Sequence, residues 1–319
     1  MKIALRLLTL GLGLSASASL AAQRPEHVLV FPKLAEGQSF TYEISYRSET
    51  TTTAESNVAA PMAAPNGQTN TRLMLKVEVL ALASDAGKPA AQLRTQFLSP
   101  DSSPLPSGSA LNKSAHDTSQ TSRVVEFWLH SDGHVTELTG FDALPIAERE
   151  AWQEWVGRFG AGAALPQKGP KPGDKWKADE QITNALLTGL SWDKELQYVN
   201  DEPCRAPASG QPPELPRSAQ PAESCAVILT TATIKQKSPQ KDATPDDFKL
   251  HDLRTYGVAK GKNEVITYIS RSSGLVVRST EDANQSLNVI VAKSDGSNRV
   301  QYIIEAQSHA RVLLLPPKT

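Results

Sequence analysis

Val300-Gln301-Tyr302-Ile303-Ile304-Glu305-Ala306 decides the fold class, because its even positions place Val300, Tyr302, Ile304 and Ala306 on one face. Alternation with a period of two marks a β-strand with one buried side. The run before it repeats the pattern with Leu287, Val289 and Val291, and Ser294-Asp295-Gly296-Ser297 stands between the two. Asp-Gly between alternating runs is a hairpin signal, since glycine tolerates positive φ. Upstream, Val265–Ile269 and Leu275–Val277 flank Arg271-Ser272-Ser273-Gly274. Residues 264–315 therefore read as four antiparallel strands sharing one apolar face. Such a face needs a second sheet, a helix or a closing curl to cover it.

The same rhythm runs through the rest of the chain. Phe40, Tyr42, Ile44 and Tyr46 form one strand face, and Leu73, Leu75, Val77, Val79 and Ala81 form another. Leu93, Thr95 and Phe97 continue the sheet after a turn at Asp85-Ala86-Gly87, and Val124–His130 turns at Ser131-Asp132-Gly133 into His134–Leu138. Residues 48–71, 100–121 and 205–224 lack apolar periodicity and read as long mobile connections. Residues 241–252 read as polar loop.

One helix is expected over 145–160. Pro145 suits a first turn, and Trp152, Trp155, Val156 and Phe159 keep the i, i+3, i+4, i+7 spacing of a buried stripe. Glu148, Arg149, Glu150 and Glu154 fall mostly outside that stripe and read as a solvated face. Past the helix the pattern restarts. Gly173-Asp174-Lys175-Trp176 echoes Gly37-Gln38-Ser39-Phe40, and Leu190, Trp192, Leu196 and Tyr198 alternate. The expectation is a mainly β (α+β) chain of curved antiparallel sheets. Two related β motifs, about 23–144 and 173–319, would be joined by the helix.

Lys2, Arg6, the apolar run Leu7–Leu14 and the small residues before Ala22 make residues 1–22 a secretory signal, with the mature chain starting at Ala22 or Gln23. The apolar run is shorter than the roughly 20 residues that span a bilayer. No cysteine follows the leader, so lipid attachment there is not expected, and the protein should reside in the periplasm or be secreted. Formal net charge is −1, and loss of Lys2 and Arg6 makes it −3. A nucleic-acid partner usually demands a basic stripe, so that class is set aside. The two cysteines, Cys204 and Cys225, bracket a polar loop. In an oxidising compartment they most simply pair, and no His or acidic partner stands at metal-ligand spacing.

No catalytic motif is present. Gly189-Leu190-Ser191-Trp192-Asp193 lacks the second glycine of a nucleophile elbow, and Gly157-Arg158-Phe159-Gly160-Ala161-Gly162 follows a helix rather than a strand. His130, Asp132 and His134 could in principle hold a metal, but they sit at a hairpin mouth where Ser-Asp-Gly is simply a good turn. The sequence therefore points to no catalytic, cofactor or metal site. The five tryptophans, Trp128, Trp152, Trp155, Trp176 and Trp192, could form a binding platform or fill a core.

The layout resembles secreted bacterial envelope proteins of unknown function that carry a lipoprotein-carrier-like half-barrel sheet. The likeness rests on the leader, the Gly-aromatic strand entry and the hairpin ending in Ser273-Gly274-Leu275-Val276-Val277-Arg278. It implies export and a curved sheet, and it transfers no site residue. Two functions follow as expectations. One is a non-enzymatic envelope protein binding an amphiphile such as a lipid, or a protein partner, in a groove bordered by Trp152 or Trp155. The other is a secreted hydrolase with a dispersed site.

Overall fold

The computed structural model describes residues 27–56, 66–85, 87–98, 123–160, 165–182, 185–204, 223–237 and 243–316. The leader and the stretch 100–121 lie outside the described residues, as do 57–65 and 205–222 of the two other connections. Among the described residues eleven strands form one antiparallel sheet. They are β1 (Ser39–Ser56), β2 (Gly67–Asp85), β3 (Lys88–Leu98), β4 (Val124–His130), β5 (Val135–Thr139), β6 (Lys175–Gln181), β7 (Leu190–Pro203), β8 (Ser224–Gln236), β9 (Leu253–Ser270), β10 (Val276–Lys293) and β11 (Val300–Leu314). Their order is β5-β4-β3-β2-β1-β11-β10-β9-β8-β7-β6, so the first strand pairs with the last. The principal helix is α1 (Ile146–Phe159), and α2 (Asp246–Leu250) is a single short turn.

Three readings change. The C-terminal quarter holds three long strands rather than four, because Val276, Val277 and Leu287–Val291 belong to one strand, β10. Its middle, Ser279–Ser286, is polar, but backbone pairing with β9 and β11 on both sides carries it through. Residues 48–56 and 67–71 are strand, not loop. Thr50 to Thr53 are β-branched and pair with β11, where Thr50 faces Ala306 and Thr52 faces Ile304. Within 241–252 the described part contains α2, with Ala243 and Thr244 buried.

One sheet rather than two packed sheets means that α1 must do much of the covering, and it does so by being wrapped. Trp152 meets Phe127 on β4 with ring centroids 5.1 Å apart. Trp155 and Phe159 meet Tyr42 on β1, and Arg158 is paired with Glu281 on β10. From β4 to β10 is five inter-strand steps, about 24 Å on a flat sheet. From Trp152 to Arg158 the helix rises only about 9 Å. The sheet therefore curls around the helix. Trp152, Trp155 and Phe159 face β1–β4 from one flank, while Glu154, Gly157 and Arg158, about 100° apart per residue step, lie on the other.

The aromatic flank is a closed core with Phe40, Ile44, Leu75, Val77, Leu93, Val125 and Leu129. Trp152 Nε1 donates to Thr95 Oγ1 at 3.0 Å, and Thr95 in turn donates to the Val125 carbonyl. Trp155 Nε1 is buried without a partner. Tyr42 is fully buried and its hydroxyl reaches beyond the end of β11 to donate to the Val276 carbonyl at 3.2 Å, beside a register shift between β9 and β10. The disulfide Cys204–Cys225 clips the β7–β8 hairpin where its strands part, with both sulfurs buried. Closing that loop stabilises by about 3 kcal/mol in the chain-entropy model.

Trp152→Phe and Trp155→Phe each remove one ring, but only the first breaks a buried hydrogen bond. Urea unfolding should show Trp152→Phe to be the costlier by about 1 kcal/mol, although Trp155 is the more buried. Equal losses would mean the Thr95 bond contributes nothing. Burial pushes the Tyr42 phenol far up, and burial plus the Asp201 hydrogen bond hold Tyr198 up at about 12. The folded chain thus keeps protons that the unfolded chain releases above pH 10. Stability should fall as pH rises past that point, and less steeply in Tyr42→Phe.

Candidate functional site

The polar flank of α1 does not touch the sheet everywhere. A cavity of about 100 Å³ remains between it and the concave face of β7–β9. Leu165, Leu196, Ile228, Val265 and Ile269 give it aliphatic walls with Thr230 and Thr267 set among them, while Arg158, Lys194 and Asn263 stand at one end. Strand register explains the grouping. Leu196 pairs with Thr230 and Thr230 with Val265, and two residues further along the same face Lys194 pairs with Ala232 and Ala232 with Asn263. Each row steps about 7 Å along the strands.

The polar end is an ionic belt between helix and sheet. Arg158 Nε donates to Glu154 Oε1 at 2.8 Å, its terminal nitrogen pairs with Glu281, and Asn263 Nδ2 donates to Glu281 Oε1 at 2.5 Å. Lys194 pairs with Glu180 on the neighbouring strand. The Arg158 side chain is only 19% exposed and that of Glu281 only 14%. The expected solvated face is thus partly enclosed, because the sheet wraps beyond the single stripe that the spacing of apolar residues reveals. Gly157 also lines the cavity, and a Cβ placed on it would meet nothing within 4 Å. Mid-helix glycine costs about 1 kcal/mol relative to alanine, and packing does not demand it here.

At Leu165 this cavity adjoins a wider opening of about 830 Å³ beneath the N-terminal segment, walled by Val28, Val30, Phe31 and Pro89. Both share Leu165. A further hollow of about 410 Å³ lies along the same sheet face, at Ile234, Gly261, Gln285 and Ala306. A Cβ on Gly261 would come within 2.7 Å of Ile234 and 3.1 Å of Trp192, so glycine lets both side chains lie across β9.

Trp152 and Trp155 are 3% and 0% exposed and sit in the aromatic core. The cavity is lined from the helix by Gly157 and Arg158 instead. Of the hairpin trio, His130 Nε2 is 2.9 Å from Thr136 Oγ1, and Asp132 Oδ1 accepts from the His134 backbone N–H at 3.1 Å, which is the chemistry of a turn. Among the described residues no group of three His, Cys, Asp or Glu side chains is placed to hold a metal ion. No described helix is long and apolar enough to cross a membrane. On the convex face His309 Nδ1 lies 2.8 Å from Asp282 Oδ1, but these side chains are 54% and 74% exposed, so solvent screens the pair.

No protein-family model and no curated protein matches the chain. Among solved structures, that of a candidate lipoprotein from Parabacteroides distasonis aligns over 91% of this chain and 98% of that one. The identity is 9% and the TM-score 0.26, a likeness that carries no argument about function.

Removing Arg158 leaves Glu281 enclosed without its cation. Arg158→Met should cost about 3 kcal/mol in urea unfolding, and adding Glu281→Gln should return much of it. Additive losses in the double variant would show that the two side chains do not act as a pair.

Proposed function

We propose that this is an exported, non-enzymatic protein that binds an amphiphile on the concave face of its sheet. The observation that carries the reading is the cavity under the Gly157–Arg158 flank, walled mostly by aliphatic side chains with Thr230 and Thr267 among them, and charged at one end. Binding sites for small molecules combine these features, a mostly apolar concavity with a few placed polar groups. The enclosed part has room for only a few non-hydrogen atoms, since an engineered cavity of about 150 Å³ takes up a benzene. A longer chain would extend past Leu165 into the wider opening beside Val28, Val30 and Phe31. The reading takes residues 1–22 as a leader and 23–319 as the mature β-rich domain. The Cys204–Cys225 disulfide supports a site of action in an oxidising compartment, the periplasm or the exterior.

A leucine at position 157 would fill the cavity from the helix side while raising helix propensity. An environment-sensitive fluorescent fatty-acyl probe should bind the wild-type chain saturably. It should bind Gly157→Leu at least tenfold more weakly, with the melting temperature kept or raised. Unchanged probe affinity in a folded Gly157→Leu protein would move the site elsewhere.

A further inference from the structure

The polar end of the cavity has a defined sense. A carboxylate only accepts hydrogen bonds, so the Asn263 amide must turn its nitrogen to Glu281, as the 2.5 Å contact from Nδ2 to Oε1 shows. That orientation fixes the other half of the amide. Asn263 Oδ1 is buried and has no hydrogen-bond partner, and Asn263 lines the cavity. A buried acceptor without a donor is costly, and a ligand that supplies the donor recovers the difference.

The charges around it point the same way. Arg158 is held between Glu154 and Glu281, and Lys194 is held by Glu180. Two cations stand against three carboxylates, a balance of about −1 to which an anionic head would add. A carboxylate or phosphate head would bring acceptor oxygens up to an acceptor and add negative charge beside Glu281. A hydroxyl or ammonium head would donate to Asn263 Oδ1 and meet a slightly negative surround.

We propose that the cavity takes an amphiphile whose head donates a hydrogen bond to Asn263 Oδ1, an alcohol or an amine, with its chain directed along Val265, Ile228 and Ile269 toward Leu165. This rests on the amphiphile reading above and assigns its head-group chemistry. The expected discrimination against an acceptor-only head is about tenfold or more, because the wrong head leaves a buried acceptor unpaired.

Calorimetric titration of the full mature chain with 1-decanol, decylamine and decanoate, each below its micelle concentration at neutral pH, tests this. Decanol or decylamine should bind at least tenfold tighter than decanoate, and whichever of the two is tighter tells a neutral head from a cationic one. Asn263→Leu, similar in volume, should bring the three affinities to within about twofold of one another. Decanoate binding as tightly as decanol would overturn the head-group assignment and leave the amphiphile reading standing. So would a folded Asn263→Leu protein that keeps the wild-type preference. Binding of none of the three would overturn both. The head-group series on wild-type protein decides the matter even if the variant fails to fold.

Discussion

A sheet of eleven strands cannot leave its apolar face to water, and the described residues offer one fourteen-residue helix to cover it. Everything else in the structure answers that shortfall. The sheet curls, so one helix touches β1–β4 with its aromatic flank and β10 with its ionic flank. Part of the remaining concave face is covered by irregular chain. Val28 and Leu165 pack on Leu196, Ile228 and Ile269, and Leu187 and Ala243 pack on Leu190, Ala259 and Val289. The cover is therefore in three pieces. The cavities described here fall along the same face as these pieces, where no single element seals the sheet from end to end.

The pairing of β1 with β11 is what makes the two wings one sheet. Each wing is a meander of neighbouring strands, but the seam between them joins residues more than 240 positions apart, such as Tyr42 with Leu314. Contacts of that separation form late and slowly, because the loop entropy is lost before the pairing is gained. Tyr42 then spans the seam a second time through its bond to the Val276 carbonyl. The turn at Gly274 sits against the N-terminal segment, with Lys33 N–H donating to the Ser273 carbonyl at 2.7 Å. A Cβ on Gly274, at φ 74°, would come within 3.0–3.1 Å of Leu29 and Pro32.

Alternation made the strands legible wherever one face meets the core, as at Phe40, Tyr42 and Ile44. It failed where both faces are polar. Thr50–Thr53 are strand because β11, from the far end of the chain, pairs with them, and Ser279–Ser286 because β9 and β11 pair with that stretch on each side, which no local pattern reveals. The helix, its ends and its aromatic stripe were legible from spacing. The site was not. Its residues come from α1, β7, β8 and β9, and the sign that marks them is a second enclosed flank on a helix whose apolar period shows only one. Gly157 was the available clue, a glycine in a helix interior with no turn or close contact requiring it.

The two flanks of α1 divide its work. Aromatic packing on the β1–β4 side, with the Trp152–Thr95 hydrogen bond, holds the helix down. An ion pair removed from water contributes little net stability unless its geometry is good, because desolvating both charges offsets their attraction. What Arg158 supplies through Glu281 is position, since a one-residue slip of the helix would turn the guanidinium about 100° away from β10. With that register fixed, Gly157 is held over the gap between helix and sheet. Glu281 in turn holds the Asn263 amide by its nitrogen, so the same pairing that locates the helix also orients an amide that lines the cavity.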